Sequence, residues 1–349
     1  GGAAATSAGV RAEQSEVSTE QIIAVVIAKD EAAMLAGCLE SLTGVADEVR
    51  VHDTGSSDDT RELAAAHGAT VTRGPWTDDF AAARNEAAAA GPAGWILAID
   101  ADHRIRADPE HLRAFLSRTD ADALLVEVHD AHHADPYTQL ETRLYRPAAA
   151  RWVGRVHERL VRPDGSAPGR ATLPPAAARL THLGYATYPD RIRRAARNLD
   201  LARRTVEELA GRGPEADREP VAHALLALGR DCAAAERRQD AVDTFELLRE
   251  LFPGTAEWVQ ATDRLARIML ASGHDKVVVL LAEQLRDAGT ADPYCDWLVA
   301  QALAQLGDPH AAAHLLTGVG EVVDPAGRRH DPAALYELKS LVGQLCARV

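Results

Sequence analysis

Ile22-Ile23-Ala24-Val25-Val26-Ile27-Ala28-Lys29-Asp30-Glu31 is a run of seven apolar residues that breaks on three charged ones. It is rich in β-branched side chains and too short for a buried helix, so it reads as a strand covered on both faces with a charged tip.

Working outward, Glu31 to Leu42 carries helical periodicity and Glu48 to His52 reads as a second strand. Thr60 to His67 follows as a helix, Ala69 to Thr72 as a short strand, Phe80 to Ala90 as a helix, and Trp95 to Ile99 as another apolar strand. Strands alternating with helices imply a parallel sheet with crossover helices. Ligands of such sheets sit at the carboxyl ends of the strands, and three of those ends are acidic here: Lys29-Asp30-Glu31, Asp53, and Asp100-Ala101-Asp102.

Beyond about Tyr188 the strand signals stop and amphipathic segments rich in Ala, Leu and Arg run to the end. Asp240-Ala241, Asp275-Lys276 and Pro309-His310-Ala311 follow polar turns at a spacing of about 35 residues, close to the tetratricopeptide period. Three stacked helix-turn-helix units are expected. The expected division is a disordered tail over residues 1–18, a sheet domain over 19–190, helical repeats over 191–320 and a capping helix over 321–349.

The composition sets limits. The chain has 349 residues, 46% hydrophobic and 26% charged, which suits two soluble domains. A formal charge of -14 argues against a nucleic-acid partner. The longest apolar run falls far short of the roughly 20 residues that span a bilayer, so no integral membrane segment and a cytoplasmic location are expected. Cys38, Cys232, Cys295 and Cys346 form no C-x-x-C pair and are expected to be reduced and inert.

Asp100 and Asp102 at the tip of a buried strand offer oxygen ligands for Mn2+ or Mg2+, ions that share such ligands with substrate phosphates. Taken alone, an Asp-x-Asp is as well explained by a solvated turn. Asp53 opens Asp53-Thr54-Gly55-Ser56-Ser57-Asp58-Asp59-Thr60, in which Ser57 and Asp58 fit a helix cap but an acid at 53 does not. Asp53-Thr54-Gly55-Ser56 also matches the aspartic-protease tetrapeptide, but a helix follows it and no second copy exists.

The combination narrows the field. Ile27 to Glu31, Asp53 to Thr60, Phe80-Ala81-Ala82-Ala83-Arg84-Asn85 and Asp100-Ala101-Asp102 together resemble the family-two glycosyltransferases of the GT-A fold. Gly154-Arg155-Val156-His157-Glu158-Arg159-Leu160 and His182-Leu183-Gly184-Tyr185 look like motifs of a branch fused to tetratricopeptide-like helices, which includes peptide S- and O-glycosyltransferases. One departure is Asp30, where that branch usually has Asn.

The resemblance implies an α/β GT-A domain with a mainly parallel sheet followed by an all-α tetratricopeptide-like domain. It implies an inverting, metal-dependent transferase that takes a sugar from a nucleotide-diphosphate donor, with UDP expected. Ala28, Lys29, Asp30, Glu31 and Asp53 would contact the nucleotide, with Arg84, Asn85, Asp100 and Ala101 lining the same pocket. Asp102, Asp100 and His182 would hold the metal, and Arg155, His157 and Tyr185 would face the acceptor or diphosphate.

Glu158 is the candidate general base; its competing role is an ion pair with one of the arginines between Arg143 and Arg162. His129, His132, His133 and Asp135 are read as a solvated loop. A repeat array suits a peptide or protein acceptor or a homodimer contact; a small-molecule, natural-product or lipid-linked glycan acceptor is the alternative. A sugar nucleotidyltransferase would need a glycine-rich loop after the first strand, which Lys29 to Ala33 lacks. A non-catalytic adaptor is the other rival.

Overall fold

The computed structural model describes residues 21–89, 94–131, 136–184, 188–213 and 218–348. The N-terminal tail, His132, His133, Asp135 and Tyr185 lie outside these residues.

The first half of the sheet follows the alternation. Strands β1 (Ile22–Ala28), β2 (Glu48–Asp53), β3 (Thr70–Arg73) and β4 (Trp95–Ala98) are joined by helices α1 (Ala32–Ser41), α2 (Thr60–Ala66) and α3 (Phe80–Ala88). β1 lies between β2 and β4, parallel to both, with Ala28 opposite Asp53 and Val25 opposite Ala98. This register brings the three acidic ends to one edge.

The alternation of side chains along β1 builds two cores. Ile22, Ala24 and Val26 pack with Leu35 and Leu39 of α1, while Ile23 and Val25 pack with Ala81, Ala87 and Ala88 of α3. Both faces are therefore dry, which is why the strand carries no polar alternation.

The second half is mixed rather than parallel. It contains β5 (His103–Ala107), α4 (Pro109–Leu116), β6 (Ala123–Asp130), β7 (Tyr137–Tyr145), the hairpin of β8 (Arg151–Val153) and β9 (Arg159–Val161), β10 (Arg170–Thr172) and β11 (Ala178–His182). The sheet order is β3-β2-β1-β4-β7-β6-β11-β5, with β7 antiparallel to both β4 and β6. The sequence reading assigns no strand between Ser117 and Tyr188; β8 to β11 are only three to five residues long, whereas β6 and β7, at eight and nine residues, are long enough to be read and are missed.

From Tyr188 the chain is mainly helical: α5 (Tyr188–Gly211), α6 (Arg218–Ala234), α7 (Arg238–Leu251), α8 (Ala256–Ala271), α9 (Asp275–Asp287), α10 (Asp292–Gln305), α11 (Pro309–Leu316) and α12 (Pro332–Cys346). Each helix packs on the next, and α8 also touches α6 and α10. The period seen in the sequence marks α7, α9 and α11, the second helix of each pair. Gly229 of α6 lets Phe245 of α7 close in, since a Cβ there would sit 2.4 Å from its ring.

The segment 321–331, expected to belong to a capping helix, instead returns to the sheet, where β12 (Arg329–His330) pairs with β7. No helix among the described residues is long and apolar enough to cross a membrane.

Candidate active site

A cavity of about 940 Å3 lies where the carboxyl edge of the sheet meets α5 and α6. Ala28, Lys29, Asp30, Glu31, Arg84, Asp100, Ala101, Asp102, His157 and Glu158 line it, so most of the residues singled out in the sequence meet in one place.

Asp30 and Asp53 spend their carboxylates on loop geometry. Asp30 has a left-handed backbone (φ 57°) and accepts from the Ser57 amide at 2.7 Å, the Ser57 hydroxyl at 3.0 Å and the Asp58 amide at 3.3 Å. Those bonds, the Ser57 amide first, hold its carboxyl below the usual range. Each of these bonds uses Asp30 as an acceptor, so the carbonyl of an Asn would serve equally and the departure from the branch is absorbed. Asp53 is buried, accepts from the Ser56 amide at 3.1 Å and pairs with Arg61 at 3.4 Å.

Glu31 points the other way. Burial pushes its carboxyl up to about 7, opposed by Arg194 and reinforced by Asp102 and Asp100.

Behind the metal-ligand candidates stands a chain of charges. Arg84 Nε donates to Glu158 at 2.5 Å and Nη2 donates to Asp100 at 2.8 Å. Arg143 Nη1 donates to the other Asp100 oxygen at 2.9 Å, and its Nη2 to Glu141 at 2.6 Å. Burial alone would raise the Asp100 carboxyl, but the two guanidiniums hold it well below the carboxylate range. Asp100 is therefore a fixed anion with fixed orientation.

Asp102 is 4% exposed. His103 Nδ1 lies 3.1 Å from one of its oxygens and His182 Nε2 lies 3.3 Å from the other. The two imidazoles stack with ring centroids 4.9 Å apart. His182 Nδ1 faces Asp130 at 3.0 Å. Burial disfavours the imidazolium, but the hydrogen bonds to Asp102 and Asp130 outweigh it and push His182 up to about 10.

Ligand atoms of Asp100, Asp102 and His103 all fall within 4.8 Å of one another. Two carboxylates and an imidazole are a suitable donor set for Mn2+, and the oxygens alone for Mg2+. His182 with Asp130 behind it repeats the carboxylate–histidine arrangement that orients metal-binding imidazoles. The residues present fit a divalent cation.

Four expected positions among the described residues fall outside the cavity wall: His182, held behind Asp102, and Asn85, Arg155 and Asp53. Asn85 pairs its side-chain amide with both backbone groups of Trp152, at 2.9 and 3.0 Å, and so clamps β8 to α3. Arg155 turns away to Glu208 of α5 at 2.6 Å. Asp53 stays within its own turn.

The loop of the β8–β9 hairpin carries Glu158. Gly154 (φ 106°) and His157 (φ 52°) turn it, and His157 Nε2 contacts both Asp231 oxygens at 2.9 and 3.0 Å.

Sequence reasoning missed the helical wall. Arg194 and Arg197 of α5, and His223 and Arg230 of α6, line the same cavity. Arg194 lies 3.9 Å from Asp102, and Arg197 stacks over Phe80 at 4.8 Å. His103 was available as the residue directly after Asp102, but the helical residues carry no local signal that they face a sheet.

Residues 23–161 match the family model described as Glycosyl transferase family 2. A TPR repeat-containing protein of Synechococcus elongatus is 39% identical over 128 residues, covering 36% of this chain and 32% of that protein. A Rickettsia bellii protein named as an uncharacterized glycosyltransferase is 37% identical over 91 residues, 26% of this chain and 31% of its own length. This chain thus spans about a third of the length of the curated relatives it matches. Among solved structures, glucosyl-3-phosphoglycerate synthase from Mycobacterium tuberculosis in complex with Mn2+ and uridine-diphosphate-glucose is 26% identical over 32% of this chain and 44% of that chain, with a TM-score of 0.27.

Proposed function

We propose that the protein is a metal-dependent inverting glycosyltransferase that takes a sugar from a nucleotide-diphosphate donor, with UDP the expected carrier. The observation that carries this reading is the meeting of Asp100 and Asp102 with the Arg84–Glu158 pair at one cavity, with His103 and His182 held against Asp102, in a segment that matches the family-two model.

In this reading the loops after β1 and β2 hold the nucleotide: Ala28 and Lys29 by their surfaces, with Asp30 and Asp53 keeping the loops in shape. Asp102 and His182 would hold the cation, with Asp100 and His103 beside them. When bound, the cation supplies positive charge that stabilises the diphosphate as it leaves.

Arg84 and Arg143 hold Asp100 anionic without letting it move, and Arg194 places a guanidinium beside Asp102 where further negative charge develops. Glu158 gives one oxygen to Arg84 and keeps the other for the acceptor proton, which makes it the base for a hydroxyl acceptor. A thiolate acceptor would need no such base. The acceptor is best read as a peptide or protein side chain, in keeping with the repeat helices, and a homodimer would use the same helical half.

The test is donor hydrolysis without acceptor. Release of nucleoside diphosphate from a panel of nucleotide sugars should require Mn2+ or Mg2+ and disappear in Asp102→Ala. Absence of metal-dependent release and of metal-dependent binding for every donor would overturn the reading and leave the adaptor.

A further inference from the structure

Helix α5 turns a charged stripe into the cavity. Asp190, Arg193, Arg194, Arg197 and Asn198 line it, and their spacing of three and four residues is that of one helix face. Ala195, Leu199 and Ala202, on the other face, are buried. A polar helix face ordinarily meets water, whereas this one meets the acidic edge of the sheet.

Two guanidiniums of the stripe stand at fixed points. Arg193 is paired with Asp190, but Arg194 lies 3.9 Å from an Asp102 oxygen. Arg197, about one turn on, lies over the Phe80 ring with its guanidinium carbon 4.8 Å from the centroid. Phe80 is itself held: its amide donates to the Arg155 carbonyl at 2.9 Å, and Trp76 meets its ring edge-on at 4.8 Å. Trp76 and Phe80 both line the cavity, so the stack keeps the guanidinium at its wall. Arg197 donates to Asn198 at 3.1 and 3.3 Å, and among the described residues no carboxylate pairs with it.

Transfer from a nucleotide-diphosphate sugar breaks the bond between the anomeric carbon and the diphosphate oxygen, and the electron pair stays on that oxygen. The acceptor oxygen bonds to the carbon and its proton goes to Glu158, so the diphosphate leaves with one more negative charge than it had in the donor. Arg84 and Arg143 of the sheet half cannot answer that charge, because these two guanidiniums already serve three carboxylates, Asp100, Glu141 and Glu158. We propose that Arg194 and Arg197 of α5 are ligands of the donor diphosphate, holding it from the helical side and stabilising it as it leaves. Their catalytic role rests on the transferase reading; the binding of a diphosphate does not. Arginine suits the task because its planar fork of donors matches phosphate oxygens. The active site is then shared, with the metal ligands on the sheet and the leaving-group clamp on a helix outside the family-two segment.

The first experiment is thermal unfolding of the full chain with inorganic pyrophosphate, a probe that carries the diphosphate without a base or sugar. In Mn2+, pyrophosphate should raise Tm above Mn2+ alone in the wild type. Arg197→Gln should lose most of that extra rise and keep the rise that Mn2+ alone gives, because its metal ligands are intact. Lack of a pyrophosphate gain in the wild type, or the same gain in Arg197→Gln, overturns the clamp. Arg194→Gln gives the same pyrophosphate readout if Arg197→Gln does not fold.

The second experiment is donor hydrolysis at saturating metal and donor. Arg197→Gln should lower kcat by about tenfold to a hundredfold, the range for loss of one donor to a developing anion. An unchanged kcat overturns the catalytic role. Failure of the wild type to hydrolyse any donor in a metal-dependent way marks failure of the transferase reading instead, while the pyrophosphate shift still decides whether α5 holds a diphosphate.

Discussion

His157 and Asp231 are 74 residues apart in the chain and 2.9 Å apart in space, and their pair ties the loop that carries Glu158 to α6 of the helical half. The Asp231 side chain is 6% exposed and that of His157 24%, so the contact is shielded on both sides. The position of Glu158 thus depends on a residue outside the family-two segment.

Asp231→Ala should therefore lower kcat for transfer by about tenfold or more while KM for the donor changes little, since the nucleotide loops are untouched and only the reacting end is misplaced. Steady-state kinetics with the donor varied separates the two. An unchanged kcat would show that the helical half does not position this loop.

Arg84 is the hub of the buried charge chain. Arg84→Met leaves Asp100 and Glu158 beside each other without their shared cation and should cost about 3–5 kcal/mol of stability. Urea unfolding checks this. The double change Arg84→Met with Glu158→Gln should recover part of the loss, because one stranded charge has been removed.

The stability of the metal-free protein should fall on both sides of mildly acidic pH. His182 is pushed up to about 10 from an ordinary value near 6.5, so its contribution is full below about 6.5 and is lost as pH rises towards 10. Asp100 and Asp102 are depressed, so theirs is present above about 4 and is lost on further acidification. Urea midpoints at pH 3, 5.5 and 9.5 should peak at the middle value. A cation that takes His182 must displace its proton, so Mn2+ affinity should rise with pH; titration calorimetry in buffers of different ionisation enthalpy should register proton release.

Gly229→Ala places a methyl group 2.4 Å from the Phe245 ring, whose side chain is fully buried between α6 and α7. The clash should cost about 1–3 kcal/mol, read as a lower urea midpoint. Loss of donor hydrolysis along with it would show that repeat packing transmits to the cavity wall.

The first four strands and three helices were legible from residues 22 to 99, because each carries a full apolar or amphipathic period and lies next to its partner in sequence. Their ends agree with the structure to within two residues. The acidic tips of β1, β2 and β4 were legible for the same reason: a parallel sheet puts the carboxyl ends of consecutive strands on one edge. What the sequence by itself determined is this frame, the helical repeat, and the resemblance that implied Asp100, Asp102, Arg84, Glu158 and His182.

Only the tertiary structure decided which of these side chains share a space. Asn85, Arg155 and Asp53 belong to the motifs but point into a β8 clamp, an α5 ion pair and a turn. Arg194, Arg197 and Arg230 belong to no motif, and on their own helices they read as ordinary surface cations. They become cavity residues because α5 and α6 pack across the sheet edge, where Arg194 meets Asp102 and Arg197 meets Phe80, both remote in sequence. Periodicity reports which face of a helix is apolar; it does not report what stands opposite the polar face, and in this protein that opposition builds the far wall of the site.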